Sequence, residues 1–154
     1  MSATRSTSPF GKLVFVLVLL TLLIAPMAAQ AGPPLPDYTV NSLSDAADNN
    51  AGDNLCATAE GVCTLRAAIE EAEATAGAQT IEFDLPGGAP YEIGLTGALP
   101  AINTTITLTG LGQDLLTVRR VSGGNYGIFT VNGTGVFTIS GMTLRDGLAP
   151  LFGG

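Results

Sequence analysis

The sequence has no histidine, only two cysteines and few positive charges, and each shortage argues against a class of function. Without His, acid–base catalysis by imidazole is excluded. Two thiols do not complete the tetrahedral ligand shell of a zinc site. Six Lys and Arg stand against 13 Asp and Glu, so the net charge is −7, and so acidic a chain repels nucleic-acid phosphates. We therefore expect no cofactor, no thiolate metal centre and no nucleic-acid partner.

Residues 1–31 have the three parts of a secretory signal peptide. Arg5 and Lys12 supply the positive start, 13–25 is an apolar run, and Ala-Gln-Ala at the end is a small-residue cleavage site. A membrane anchor is the alternative, but a span needs about 20 apolar residues and this run is shorter. We expect a secreted or cell-surface mature chain, 32–154, with no membrane span and a net charge of −9 once the two positive residues of the leader are removed.

The two cysteines close a small loop, CATAEGVC. In an exported chain we expect Cys56 and Cys63 to form a disulfide. On the chain-entropy model such a loop stabilises the fold by about 2.5 kcal/mol. A metal site is the weaker alternative, because the two thiols have no His or further Cys to join them.

The segment after Cys63 has the period of one amphipathic helix. Thr64 is the expected N-cap, and Gly77 the expected C-terminal stop. The expected apolar face consists of Leu65, Ala68, Ile69, Ala72 and Ala76. Three acids are expected off this face, namely Glu70, Glu71 and Glu73. Arg66 and Glu70 are spaced to pair at i, i+4. A face made mostly of Ala predicts close, flat packing against the end of a β-stack.

A loop rich in oxygen ligands lies at 45–54, before the cysteines. Its Asp and Asn side chains are Asp45, Asp48, Asn49, Asn50, Asp53 and Asn54. Such residues can bind calcium, although their order does not match the EF-hand pattern. The favoured alternative is a solvated turn in which these side chains bond the neighbouring backbone.

Short apolar/polar alternations indicate a β-rich architecture downstream of the helix, with one further strand before it at 38–40. The expected strands are 81–83, 91–93, 106–108, 116–118, 128–131, 137–139 and 142–144. Turn residues such as Gly, Asn and Asp separate most of them.

Two loose repeats run through these strands. Ile81, Ile106 and Phe137 form one series at steps of 25 and 31, and Ile93, Leu116 and Met142 form another at steps of 23 and 26. Such periods, with very short strands and no helix in each repeat, predict a parallel β-helix. An antiparallel sandwich is the alternative. The stretch FTISGMTLRDG favours the β-helix, since Ser-Gly is too short a link for a hairpin with proper arms.

These residues carry a family resemblance. The signal peptide, the stretch from YTVNSLSD to TIEFDLPG, and the later ITLTG and FTISGMTLRDG resemble the CSLREA domain, the N-terminal module of bacterial surface proteins. The family motif Cys-Ser-Leu-Arg-Glu-Ala reads Cys63-Thr64-Leu65-Arg66-Ala67-Ala68 here. Thr64 keeps the capping hydroxyl of the motif, whereas Ala67 replaces its acid.

The resemblance implies a right-handed parallel β-helix of the pectin-lyase-like type. We accordingly expect an N-terminal cap at 32–79, with the stapled loop and the capping α-helix, and the first coils at 80–154. The cap motif consists of Thr64, Leu65, Arg66, Ala68 and Ile69. Since no second cap follows the last strand, we expect a short, truncated β-helix whose C-terminal end is open and able to self-associate.

The expected function is structural, adhesive or carbohydrate-binding, with polysaccharide or another surface protein as partner and no catalysis of its own. The alternative is a fragment of a polysaccharide lyase or glycoside hydrolase of the same fold. Hydrolases usually need two carboxyls at a set separation, and the acids of the strand region are not paired in sequence. These acids are Glu82, Asp84, Glu92, Asp114 and Asp146. Arg119 and Arg120 can bind a uronate carboxylate, but a solvated turn is the simpler interpretation.

Overall fold

The computed structural model describes residues 35–122 and 124–148, which form one helix and seven strands. The helix is α1 (Leu65–Ala74). The strands are β1 (Tyr38–Val40), β2 (Ala78–Phe83), β3 (Tyr91–Leu95), β4 (Thr105–Thr109), β5 (Leu116–Arg120), β6 (Val136–Ser140) and β7 (Thr143–Arg145). The expected leader at 1–31 lies outside the described residues, as does the end of the chain at 149–154.

The strands form two parallel sheets. Sheet A has the order β1-β2-β4-β6, and sheet B has the order β3-β5-β7. From β2 onward the chain alternates between the sheets, so one repeat is a strand of sheet A followed by a strand of sheet B. The stretch FTISGMTLRDG places β6 in sheet A and β7 in sheet B, as its short Ser-Gly link predicts. The expectation of a mainly β fold with parallel pairing is confirmed.

The pairing register differs from the predicted series by two residues at the first step of each series. Ile81 pairs with Leu108 and not with Ile106, and Ile93 pairs with Val118 and not with Leu116. A shift of two keeps every side chain on its own face of the sheet, whereas a shift of one would reverse it.

At the second step of each series the predicted spacing matches the register: Ile106 pairs with Phe137, and the pairing of Thr117 with Thr143 aligns Leu116 with Met142. The sequence pattern therefore predicted the inward residues, and it predicted their partners at the second step of each series but not at the first.

One predicted strand is absent from the described residues. The segment 128–131 forms no ladder, and only Val131 makes an isolated parallel bridge, to Ile102. Ile102 donates its N–H to Thr130 O at 2.8 Å and accepts the N–H of Asn132 at 2.8 Å. Because the neighbouring repeat offers a single bridging residue here, the alternating pattern of 128–131 has no strand with which to pair.

The helix ends earlier than its pattern predicts. Thr75 is the C-cap, in extended backbone, and donates its N–H to Glu71 O at 3.0 Å. Ala76 therefore lies after the helix and is exposed, so its predicted place on the apolar face is wrong. Gly77 lies at a φ of +104°, the left-handed backbone that glycine adopts without strain.

A single apolar core joins the helix to both sheets. Inward-facing residues alternate with outward ones along β2, β3, β4 and β5, as half-buried strands require. The largest fully buried apolar side chains are Leu65, Ile69, Ile81, Ile93, Leu95, Ile102, Ile106, Leu108 and Leu116. The helix contributes the first two of these, so it completes the core and does not merely lie on the surface.

The two ends of the sheets differ in how well they are covered. The helix contacts β1, at one edge of sheet A. At the other edge, Phe137 and Ile139 of β6 are only partly buried. Leu144 of β7 is 45% exposed and Leu148 is 41% exposed. Among the residues that the structure describes, the core is therefore closed at the helix end and thinly covered at the last strands.

Candidate functional site

A first group of polar contacts lies where the loop and α1 meet β1. We use the name cap for residues 41–74, the loop and helix part of the predicted segment 32–79. Cys56 and Cys63 form the predicted disulfide, with a Cα–Cα distance of 5.1 Å. Thr64 is the predicted N-cap: its Oγ1 accepts the N–H of Ala67 at 3.0 Å and donates to Ala46 O at 2.6 Å. The hydroxyl thus starts the helix and ties it to the loop in front of it.

The remaining motif residues are the buried part of the cap. Leu65, Ala68 and Ile69 are fully buried in the core. Their spacing places them on one side of the helix, as their period predicts. The structure therefore brings together the disulfide, the capping hydroxyl and the apolar face within a single unit.

Arg66 lies at the centre of the polar contacts of the cap. Its guanidinium binds the Asp45 carboxylate through Nε at 3.0 Å and Nη2 at 2.9 Å. It also donates to Ala98 O at 2.6 Å and to Gly97 O at 3.0 Å. The side chain of Asp45 is 5% exposed and that of Arg66 is 14% exposed, so the pair is largely shielded from water. One arginine thereby joins the loop, the helix and the turn after β3.

The predicted Arg66–Glu70 pair is wrong. Arg66 binds Asp45 instead, and Asp45 also accepts the N–H of Thr96 at 2.7 Å. Glu70 instead accepts the N–H of Asp48 at 2.6 Å. A buried partner on another segment competes successfully with an exposed i, i+4 contact, since such helix pairs contribute only about 0.3–0.5 kcal/mol.

Glu71 is buried, contrary to its predicted place off the apolar face. It is 0% exposed, and its carboxylate accepts the N–H of Gly52 at 2.6 Å and the N–H of Asn54. A buried carboxylate is tolerated only when hydrogen bonds replace its lost water. The loop covers a second flank of α1 and supplies those donors, and Ala67, also fully buried, lies on the same flank.

Glu73 joins the helix to the turn before β4. It accepts the N–H of Asn103 at 3.0 Å and the hydroxyl of Thr104 at 2.8 Å. Burial raises the pKa of Glu73, but hydrogen bonds from the side chains and backbone N–H groups of Thr104 and Asn103 lower it more, so the pKa lies below its ordinary value. The ionised form is therefore the one that this turn binds.

The Glu73 contacts predict a loss of stability in acid. Since its folded-state pKa is lowered, Glu73 contributes fully above the unfolded-state pKa of about 4.3 and loses its contribution as the pH falls through the folded-state value. We expect Glu73→Gln to lower the free energy of unfolding by about 1 kcal/mol at neutral pH. The difference from wild type should shrink below about pH 4, as measured by denaturant unfolding. Glu60→Gln, at an exposed loop acid, is the control, and an equal pH-dependent difference for it would contradict the assignment.

The loop acids bond the loop itself. Asp48 accepts the N–H of Asn50 at 2.8 Å, and Asp53 accepts the N–H of Leu55 at 2.9 Å. These two-residue contacts are the Asx-turns of the favoured interpretation. Among the described residues, no group of three or more His, Cys, Asp or Glu has an arrangement that could hold a metal ion. Asp45 departs from the solvated expectation, because Arg66 and Thr96 bind it in a buried position.

The outer face of sheet B is a second polar region, which we call the arginine face (Glu92, Thr117, Arg119, Thr143 and Arg145). The ladder aligns Glu92 with Thr117 and then Thr143, and it aligns Arg119 with Arg145. Two arginines thus stand side by side on neighbouring strands, next to a row of hydroxyls.

Arg119 is engaged by acids from both sides. Its Nε lies 2.7 Å from Glu92 Oε1 but outside hydrogen-bond geometry, so the contact is an ion pair without a hydrogen bond. Asp146 Oδ2 lies 4.0 Å from its Nη1. These side chains are 36% exposed for Arg119 and 50% for each acid, so the pairs contribute at most about 1 kcal/mol each.

The preferred interpretation of Arg119 and Arg120 as a solvated turn is wrong. Both residues belong to β5. Arg120 donates to Asp146 O at 2.8 Å and to Gly124 O at 2.8 Å, and its guanidinium lies 5.8 Å from the ring centre of Tyr126. It therefore fastens the segment after β5 to the residue after β7, and it leaves Arg145 as the most exposed cation of the face.

The sequence pattern missed three of the groups that organise the cap. Asp45, Glu71 and Glu73 appeared only as loop or solvent-facing acids, and their roles depend on donors from distant segments. The signal in the sequence was the loop rich in Asp and Asn at 45–54, followed by a helix that carries three acids. Glu92 and Asp146, taken singly from the sequence, share Arg119 in the structure.

Comparisons with protein-family models, with curated proteins and with solved structures gave no match. Within the described parts of the chain, no helix combines the length and the apolar character needed to cross a membrane.

Proposed function

We propose that this chain is a secreted or cell-surface module of the CSLREA type, in which the cap begins a right-handed parallel β-helix. Its role is structural, adhesive or carbohydrate-binding, and it has no catalysis of its own. The observation that carries the proposal is the contrast between the two ends of the sheets. The end at β1 has a disulfide, a buried ion pair and a helix, whereas the end at β6 and β7 has half-buried apolar side chains.

The geometry of the motif residues supports the family resemblance. Thr64, Leu65 and Arg66 supply the helix N-cap, a fully buried core residue and the central ion pair of the cap. A stack of parallel strands exposes its first backbone edge and its first core layer unless something covers them. The cap lies beside that first strand, and this is the position that a starting module requires.

Alternation between two parallel sheets supports the β-helix. Each repeat adds one strand to sheet A and one to sheet B, and its inward side chains pack on those of the repeat before it. Right-handed turning is the form that the resemblance implies. A disulfide between Cys56 and Cys63 is consistent with an oxidising compartment and with the proposed export.

Export and processing test the first part of the proposal. The full chain, expressed in a secreting bacterial host, should appear outside the cytoplasm with Gly32 as its first residue, as read by N-terminal sequencing and intact mass. Retention of residues 1–31 in a membrane fraction would contradict secretion and would favour an anchor.

The arginine face supplies the binding surface of the proposal. Arg119 is already paired with Glu92 and Asp146 on this face, and the Thr143 hydroxyl donates to Gln113 O, so Arg145 is the cation that the face offers to a ligand, beside the Thr117 hydroxyl. Arginine binds carboxylates in a two-pronged geometry, and threonines offer both donors and acceptors to sugar hydroxyls. An acidic polysaccharide therefore fits this face better than a neutral one.

Affinity measurements on polygalacturonate, with and without calcium, distinguish binding from catalysis. We expect saturable binding without turnover, and we expect Arg145→Gln to weaken it about tenfold. Glu82→Gln, an exposed change on sheet A, should leave the affinity unchanged. Turnover that is lost on changing Asp114 or Asp146 would instead favour the lyase or hydrolase alternative.

A further inference from the structure

The strand β6 presents one unpaired side within the described chain. It lies at the end of sheet A and pairs with β4. Val136 donates its N–H to Thr104 O at 2.9 Å, and Ser140 O accepts the N–H of Gly110 at 2.9 Å. In a parallel ladder every second residue directs its backbone groups to the same neighbour. The backbone groups of Phe137 and Ile139 are therefore directed away from β4.

The side chains of β6 offer none of the usual protection of an edge strand. Proteins guard such edges with charged residues, proline, bulges or a covering segment. The sequence VFTIS contains no charge and no proline, and Val136 is 55% exposed. In the next strand, Arg145 and the adjoining Asp146 carry opposite charges. Within the described residues, β6, β7 and Asp146 together carry no net charge in a chain of −7, so two copies repel each other least along these strands.

We infer that β6 pairs with β6 of a second copy of this chain, antiparallel, about a two-fold axis that passes between the two Thr138 residues. In that register Phe137 lies opposite Ile139 of the second copy. Such a pair exchanges two N–H···O bonds, and it uses the backbone groups that face away from β4. The symmetry forms the pair twice, as an isologous interface requires.

The side chains agree with this register on both faces of sheet A. Phe137 and Ile139 point to the core side, where they pack against the existing apolar cluster. Phe137 then lies opposite Ile139 of the second copy, and Ile139 lies opposite Phe137 of the second copy. These contacts extend the core across the interface. Thr138 points outward and meets Thr138 of the second copy, and cross-strand Thr pairs are favourable. The inference depends on the edge and not on polysaccharide binding.

A charge-swap experiment tests the register. The full 154-residue chain is expressed in a secreting host and purified from whichever fraction contains it, so a failure of export does not decide the result. Sedimentation equilibrium should give a dimer for wild type. Thr138→Lys and Thr138→Glu should each be monomeric, since like charges directly opposite are destabilising. An equimolar mixture of the two variants should restore the dimer mass.

The matched control is Thr39→Lys, the same change at the exposed face of β1, the other edge strand of sheet A. It should remain dimeric. Circular dichroism must show that all variants fold as wild type does. A monomeric wild type at every soluble concentration would overturn the inference. So would open-ended association that Thr138→Lys does not stop, because that would be general apolar aggregation.

Cysteine cross-linking gives an independent measure of the same register. Residues facing each other in a non-hydrogen-bonded antiparallel pair have Cα atoms about 4.5 Å apart, which a disulfide can span. Thr138→Cys should therefore give a covalent dimer under mild oxidation. Val136→Cys, also exposed but opposite Ser140 of the second copy, should not. Equal cross-linking of both variants would contradict the two-fold register.

Discussion

Replacement of Arg66 by Gln is expected to lower the free energy of unfolding by about 3 kcal/mol or more. The change removes the partner of Asp45, whose side chain is 5% exposed, and leaves that carboxylate without its counter-charge. It also removes the donors to Ala98 O and Gly97 O, which tie the turn after β3 to the helix. Denaturant unfolding of the disulfide-intact protein measures the loss.

Arg145→Gln is the matched control for Arg66→Gln, since it makes the same change of charge at an exposed arginine. Its expected effect on stability lies within about 0.5 kcal/mol. The double variant Asp45→Asn/Arg66→Gln should lose less than the sum of the two single variants, because the buried charge is removed together with its partner. Additive losses, or equal losses for Arg66→Gln and Arg145→Gln, would rule out the buried pair as the organising contact of the cap.

Gly110→Ala is expected to lower the free energy of unfolding by a similar amount to Arg66→Gln, and the reason is steric. Gly110 follows β4, and Gly141 follows β6 one repeat later, so the backbones of the two repeats touch at this corner. A Cβ on Gly110 would lie 2.1 Å from Gly141 O and 2.7 Å from Gly141 C. Backbone atoms cannot rotate away as a side-chain tip can. We expect a loss of about 3 kcal/mol or more in the free energy of unfolding.

Gly88→Ala tests whether the Gly110 effect comes from this contact. A Cβ at Gly88 meets no atom within 4 Å, and the expected change lies within about 0.5 kcal/mol. Thermal and denaturant unfolding of the two variants, made in the same background, give the comparison. A Gly110→Ala protein as stable as Gly88→Ala would mean that consecutive repeats do not approach each other as closely as this corner requires.

The Arg66 contacts and the Gly110–Gly141 contact each fix one segment of the chain against another. At the cap, Arg66 joins three segments, and at the corner, two glycines allow the backbones to meet. Neither role is visible in the local pattern. Arg66 was expected to pair with Glu70 along the helix, and no pattern in the sequence marked Gly110.

Several elements were predicted well because their signals are local. The helix, its Thr64 cap and most short strands follow from residue types and spacings within a few positions. The prediction of a strand at 128–131 was wrong. The residues do alternate, but the adjacent segment offers only one bridging residue, Ile102, and not a strand. Ala76 failed as a helix residue because the chain had already turned into extended backbone at Thr75.

The sequence by itself determined that the described chain is mainly β, that its strands are short and parallel, that one capped helix precedes the repeats, and that Cys56 and Cys63 pair. These features depend on patterns of neighbouring residues. Only the tertiary structure decided the register of the ladders and the partners of the polar groups in the cap. A two-residue shift preserves the inward face, so the pattern cannot distinguish registers. Glu71 bonds a backbone N–H 19 residues away and Arg66 binds an acid 21 residues away, and such contacts exist only after the chain has folded.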